Sequence, residues 1–179
     1  MADPKDLSLD LAPAEVVATY RAGGVIELTS PQPLAPYPPT LLAALRRWAE
    51  AAPGRVLLAE RRAGALFELR YGDAWTLLRR LGAALLARGL GPDRPLLLLS
   101  DNSVDNALLQ LAAMYVGAPA VPVSPAYSLV SQDLANLRHI TDLVRPGLVY
   151  AADGARFARA LALAGAPALV SAGPGPDQA

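Results

Sequence analysis

Residues 96–140 read LLLLSDNSVDNALLQLAAMYVGAPAVPVSPAYSLVSQDLANLRHI, and their pattern decides the fold. Leu96 to Leu99 is an all-apolar run of strand length, the composition of a strand buried on both faces of a parallel sheet. Asn102 or Ser103 then caps a helix, with Asp105 in its first turn, where a carboxylate complements the dipole. Leu108, Leu111, Ala112 and Tyr115 recur at helical spacing and are expected to face the core. Gly117 ends that helix. Ala120 to Val123 is a second short strand, and Ser124 to Val130 reads as a loop. Ser131 caps a further helix with Leu134, Leu137, Ile140, Leu143 and Val144 along one face, stopped by Pro146-Gly147.

The same alternation extends outward. Leu148 to Ala151 is a strand, Gly154 to Ala164 a helix, and Ala168 to Val170 one more short strand. On the other side, Thr40 is a plausible N-cap for a helix carrying Leu41, Leu42, Leu45, Trp48 and Ala49 at helical spacing. Arg55 to Glu60 and Leu66 to Tyr71 read as a hairpin turning near Ala63-Gly64. Asp73 caps the next helix, whose apolar face is Leu77, Leu78, Leu81, Leu85 and Leu86, with Gly89 just past its end. Strands alternating with helices predict an α/β fold: βαβ units, a mostly parallel sheet and a small β-hairpin. Residues 1–39 read as a Pro-rich N-terminal arm, because Pro31, Pro33, Pro36, Pro38 and Pro39 fit neither a helix interior nor a central strand. A short helical turn is expected within 14–22. Residues 40–179 form the α/β lobe, and the closing AGPGPDQA reads as a frayed or severed end.

Composition limits the function. Of the 179 residues, 53% are apolar and 18% charged, the balance of a folded globular body. Sixteen basic and sixteen acidic residues cancel, so no global charge steers the chain to nucleic acid. The absence of cysteine excludes disulfides, thiolate metal sites and cysteine nucleophiles. The acidic start, MADPKDLSLDL, lacks a signal peptide's basic and apolar regions. Residues 106–132 carry no charge, yet Gly117, Pro119, Pro122 and Pro125 interrupt them short of the roughly 20 apolar residues of a membrane span. A cytoplasmic protein without a membrane span is expected.

Specific residues carry a resemblance. An apolar strand leads to Asn102-Ser103 at a helix start. The helix ends in a turn and strand with Gly117, Ala118 and Pro122, followed by the Pro125-x-Tyr127 loop. With the hairpin ending Leu69-Arg-Tyr-Gly-Asp73, this order resembles the early part of the AMP-forming acyl- and aryl-CoA synthetases. The stretch from Ser124 to Asp133 and then Leu137 to Ile140 is most like feruloyl-CoA synthase. The resemblance spans about 39–163. It implies the N-terminal portion of the large lobe of an adenylate-forming synthetase. The complete enzyme activates a carboxylic acid with ATP and Mg²⁺ to an acyl-adenylate, then transfers the acyl group to CoA. Ferulate or a related hydroxycinnamate is the small aromatic acid so implied.

That chemistry needs positive charge and backbone N–H donors around a departing pyrophosphate. This sequence has no Ser/Thr/Gly-rich loop ending in Gly-x-Pro-Lys, and its only lysine is Lys5. G-x-x-x-x-G-K-[ST], G-x-G-x-x-G and G-x-S-x-G are all absent. No residue is therefore assigned a catalytic, cofactor-binding or metal-binding role. The chain is expected to stop before the ATP-binding loop. By that reading it binds no cofactor alone, is inactive alone, and requires the missing C-terminal remainder or a complementing chain as partner. A stand-alone, non-catalytic α/β binding or interaction module is the alternative.

Ser124 and Tyr127 are candidates for a substrate-side loop, although loop polarity and the Ser131 cap explain the same residues. Asp101, Asn102, Ser103 and Asp105 lie where doubly wound sheets place ligands, and helix capping accounts for them too. His139, the sole histidine, reads as an ordinary helix position. Trp48 and Trp75 read as core anchors, and the arginines between Arg46 and Arg94 as solvated helix and hairpin surfaces.

Overall fold

Four parallel strands in the order β6-β5-β7-β8 organise the lobe: β5 (Leu96–Leu99), β6 (Ala120–Val123), β7 (Leu148–Asp153) and β8 (Ala168–Ala172). The computed structural model describes residues 15–172 of the chain. The acidic start through residue 14 and the closing stretch from residue 173 lie outside them. The chain divides into two compact units, Met1–Pro39 and Thr40–Ala179.

β5 is the centre of the sheet because all four of its leucines are apolar and both faces can be buried. Leu96 and Leu98 point into a core with Leu85, Leu109, Ala112, Ala113, Leu148 and Tyr150. Leu97 and Leu99 point the opposite way, against Leu137, Val149, Phe157, Ala160 and Leu161. The first core is covered by α2 (Tyr71–Ala87) and α3 (Val104–Tyr115), the second by α5 (Ala135–Val144) and α6 (Ala158–Ala164). Two α/β layers on one fully buried strand are what the run of leucines demands.

The capping expectations hold at two positions. Thr40 Oγ1 accepts from Ala43 N at 3.1 Å and starts α1 (Leu41–Ala51). Ser103 Oγ accepts from Asn106 N at 3.1 Å and starts α3, with Asp105 in its first turn. The predicted hairpin forms as β3 (Val56–Arg62) and β4 (Ala65–Arg70), turning through Ala63 and Gly64. Both turn residues have positive φ, 47° and 85°, the requirement of a tight two-residue hairpin.

Several expectations are corrected. Where a helical turn is expected the arm forms a strand, β1 (Val17–Tyr20), paired with β2 (Ile26–Thr29), and a 3-10 turn follows only at Ala22–Gly24 between them. Its β-branched and aromatic residues favour extended backbone, and Gly23 and Gly24 supply the positive φ of the turn. Asp73 lies in the first turn of α2, whose N-cap is Arg70. Leu77 and Leu86 are exposed on α2, and the buried stripe is Ala74, Leu78, Gly82 and Leu85. Gly82 is needed there: a Cβ would lie 3.0 Å from both Tyr115 Cδ1 and Val116 Cγ1 where α2 crosses α3. Tyr115 is exposed, its ring edge-on to Trp75 at 5.8 Å.

The loop after β6 contains a short helix, α4 (Pro125–Leu129), because Pro125 is preorganised for a first helical position. Ser131 Oγ accepts from Leu134 N, but Leu134 is left-handed and α5 begins only at Ala135. Asp133 Oδ1 accepts from Ala135 N, which holds its carboxyl below the usual range. Leu143 is exposed on α5, and Thr141 takes the inward position. No described helix is long and apolar enough to cross a membrane.

Candidate functional site at the sheet's carboxyl end

In a sheet of this order the chain leaves β5 to one side for β6 and returns to the other side for β7. The crevice beyond the carboxyl ends of β5 and β7 is therefore the topological switch point, the default ligand position of an open α/β sheet. Residues 100–106 and 153–157 line it by following directly from those strands.

Here that position is filled by the protein's own side chains. Glu60, on β3, reaches the start of α3, and its Oε2 accepts from Val104 N at 2.8 Å. A carboxylate thus occupies the place where a helix N-terminus would hold a bound anion. Arg62 pairs with Glu60 and donates from Nη2 to Asp105 Oδ1 at 2.9 Å, its guanidinium 4.2 Å above the Phe67 ring. The hydrogen bond to Glu60 raises the Arg62 guanidinium above its ordinary value. On the sheet side, Ser171 Oγ lies 3.1 Å from Asp105 Oδ2 and 2.8 Å from Tyr150 OH. An ionised carboxylate only accepts, so Ser171 donates to Asp105 and receives from Tyr150. Burial pushes the Tyr150 phenol up from its ordinary value.

The other half of the crevice is closed in the same manner. Arg156, whose backbone N–H bonds Asp153 Oδ1 at 3.0 Å, forms an ion pair with Asp101. Buried Asn106 donates to Asp101 O at 3.3 Å and accepts from Gln110 Nε2 at 3.1 Å. What remains is a cavity of about 280 Å³ lined by Leu58, Glu60, Asn102, Ser103, Asn106 and Gln110. The residues that line the switch point do not fit a nucleotide's phosphates. The carboxylates of Glu60, Asp101, Asp105 and Asp153 stand around the crevice, Arg62 and Arg156 are already paired, and the amide of Val104 is already bonded. Among the described residues no group of three His, Asp or Glu could hold a metal ion.

Of the residues singled out in the sequence, Asp101, Asn102, Ser103 and Asp105 come together here: Ser103 is the cap, Asp101 and Asp105 are ion-pair partners, and Asn102 lines the cavity. Ser124 and Tyr127 do not join them. Both are exposed beyond the end of β6, Ser124 as the N-cap of α4 and Tyr127 within it, and Tyr127 N donates to Ser124 O at 3.0 Å. His139 is exposed on α5. Trp48 is only partly buried and forms one wall of an apolar groove of about 430 Å³ with Leu45, Leu57, Tyr71, Leu111 and Met114. The Arg55 and Arg47 guanidinium groups lie 5.0 and 5.8 Å from its ring centroid, so Trp48 is a groove wall and not a core anchor. Sequence reading missed Glu60, Arg62, Arg156 and Ser171. The only signal was the i, i+2 pair Glu60 and Arg62, which a strand places on one face.

Residues 45–174 match the family described as AMP-binding enzyme, well over half of the chain. The chain belongs to that family. A search of curated proteins gave no match. Among solved structures, this chain is similar to a fatty acyl-adenylate ligase from L. pneumophila, determined with acyl adenylate and pyrophosphate. The TM-score is 0.62 and the identity 20%, over 73% of this chain and 23% of that one. It is also similar to a benzoate CoA ligase from Burkholderia xenovorans LB400, with TM-score 0.57 and 22% identity, over 76% of this chain and 26% of that one. Likeness at these identities shows the fold, which is part of the adenylate-forming synthetase fold. The chain spans about a quarter of the length of these relatives.

Proposed function

We propose that this segment is structural scaffold for an ATP-dependent acid–CoA ligase. The complete enzyme converts a carboxylic acid to its adenylate and then to the acyl-CoA. The observation that carries the reading is the family match over residues 45–174, on a sheet whose switch point is stapled shut by Glu60, Arg62, Asp105, Asp101 and Arg156. These residues hold the hairpin, α3 and the sheet in one frame. The phosphate-binding and catalytic groups, with ATP, Mg²⁺ and CoA, belong to polypeptide beyond this segment or to a complementing chain.

Ferulate or a related hydroxycinnamate is the acid we assign, on the sequence from Ser124 to Asp133. Ser124 and Tyr127 are exposed at the carboxyl end of the sheet, where a substrate pocket completed by further polypeptide can reach them. The enzyme is assigned to the cytoplasm. The test is pyrophosphate release and feruloyl-CoA formation by the purified chain with ATP, Mg²⁺, CoA and ferulate. No turnover is expected, and turnover above background would overturn the scaffold reading.

A further inference from the structure

Residues 125–133, which form α4 and the turn after it, make their hydrogen bonds mainly among themselves. Val130 N and Ser131 N both donate to Ala126 O. Ser131 Oγ donates to Asp133 Oδ1, and the two side chains accept from Leu134 N and Ala135 N at the start of α5. Among the described residues a single hydrogen bond ties the stretch to any element other than α5: Arg159 Nη2, on α6, donates to Gln132 O at 2.6 Å. Apolar burial adds little. Only Leu129 of these residues packs against a core cluster, and only in part, while Val130 is exposed. Two features hold the stretch in place at a cost. Leu134, at its end, has φ 54° and ψ 25°, a left-handed conformation that crowds the Cβ of any residue except glycine, although its side chain is buried in the second core. Ser128 is buried on α4, and its Oγ has no hydrogen-bond partner among the described residues. A buried hydroxyl without a partner forfeits the bonds it makes in water. A turn of the backbone at Leu134 relieves the first cost, and exposure of Ser128 to water relieves the second.

We propose that residues 125–133 are a latched strap at the carboxyl end of β6, hinged at Leu134, held shut by Arg159, and able to open as a unit while the parallel sheet stays intact. Local opening of this kind is drawn from segments with few core contacts and few bonds to the rest of a domain. The closed strap here has one such bond, and the closed state itself carries the left-handed leucine and the unmet hydroxyl. Opening moves Tyr127 away from Ser124, whose carbonyl it bonds when closed. In the complete enzyme the strap therefore gates the substrate side of the sheet. That gating role rests on the assignment of Ser124 and Tyr127 made above, whereas the opening itself is a property of this chain alone.

The test is amide exchange of the full chain by nuclear magnetic resonance, read at Val130 and Ser131 against Leu98 and Val149 in the sheet, for the wild type, Arg159→Ala and Ser128→Ala. In the wild type the two strap amides should exchange at least about a hundred-fold faster than the sheet amides. Arg159→Ala removes an exposed side chain and the latch with it. The strap amides should then exchange about ten-fold faster, with the sheet amides unchanged. Ser128→Ala removes the unmet hydroxyl and should slow the strap amides by about five-fold or more, beyond the roughly two-fold that the helix propensity of alanine supplies. Strap amides that follow the sheet amides in all three proteins overturn the proposal, because the strap then opens only with the whole lobe. So does an Arg159→Ala effect that the sheet shares equally, or a Ser128→Ala chain whose strap exchanges as fast as the wild type or faster. Should Ser128→Ala misfold, the Arg159→Ala comparison decides alone. An acid other than ferulate leaves all these rates untouched, so the two readings fail separately.

Discussion

The two antiparallel hairpins of this chain have similar pairing and very different packing within their own units. In β1–β2 the register runs from Val17 opposite Thr29 to Tyr20 opposite Ile26, and the exposed Arg21–Glu27 ion pair closes the turn. Val17, Tyr20, Ile26 and Leu28 are all exposed. In β3–β4, Leu69 is 3% exposed among Ala74, Val104 and Leu108, and Glu60 bonds the first amide of α3. Ladder bonds alone leave an isolated hairpin marginal in water. What makes the second hairpin part of a domain is one buried leucine and one carboxylate aimed at a helix end.

The contrast can be broken at its strongest point with Leu69→Ala. This should cost about 2–5 kcal/mol in urea unfolding of the lobe, the range for a fully buried leucine. A loss near zero would show that the hairpin is not anchored by packing. Glu60→Ala leaves the Val104 amide without its partner and removes one of the two carboxylates on Arg62. An unfolding loss of about 1–3 kcal/mol is expected. Arg21→Ala sharpens the comparison from the other side. Removing so exposed a pair should change amide exchange across 17–29 by less than about two-fold.

The same distinction explains what the sequence makes legible. Elements defined by local chemistry were readable: the four leucines of β5, the Thr40 and Ser103 caps, and the Ala63-Gly64 turn. Facing directions were less so where a polar residue took an inward place. On α5 the inward stripe is Leu137, Ile140, Thr141 and Val144, and Leu143 points out. Thr141 is tolerated because its hydroxyl bonds Leu137 O at 2.8 Å and Arg138 O at 2.9 Å. The apolar reading therefore finds the right side through Leu134, Leu137, Ile140 and Val144 and misplaces only Leu143. The crevice network was illegible for a different reason. The Glu60–Arg62 pair, Asp105 and Ser171 are widely separated in sequence, and only the fold brings them into contact.

That network also has a direction. The phenol of Tyr150 gives to Ser171, Ser171 gives to Asp105, and Asp105 receives from Arg62. A charge swap that placed aspartate at 62 and arginine at 105 would keep the net charge and the ion pair. It would also turn donors toward Ser171, reversing the relay so that Ser171 gives to Tyr150, and set a second acid beside Glu60. The pair is therefore not interchangeable. Its polarity is inherited from the glutamate at one end, which the hydroxyls at the other can follow in either direction, so any repertoire of substitutions at these positions is constrained as a sequence of donors and acceptors and not merely as a sum of charges.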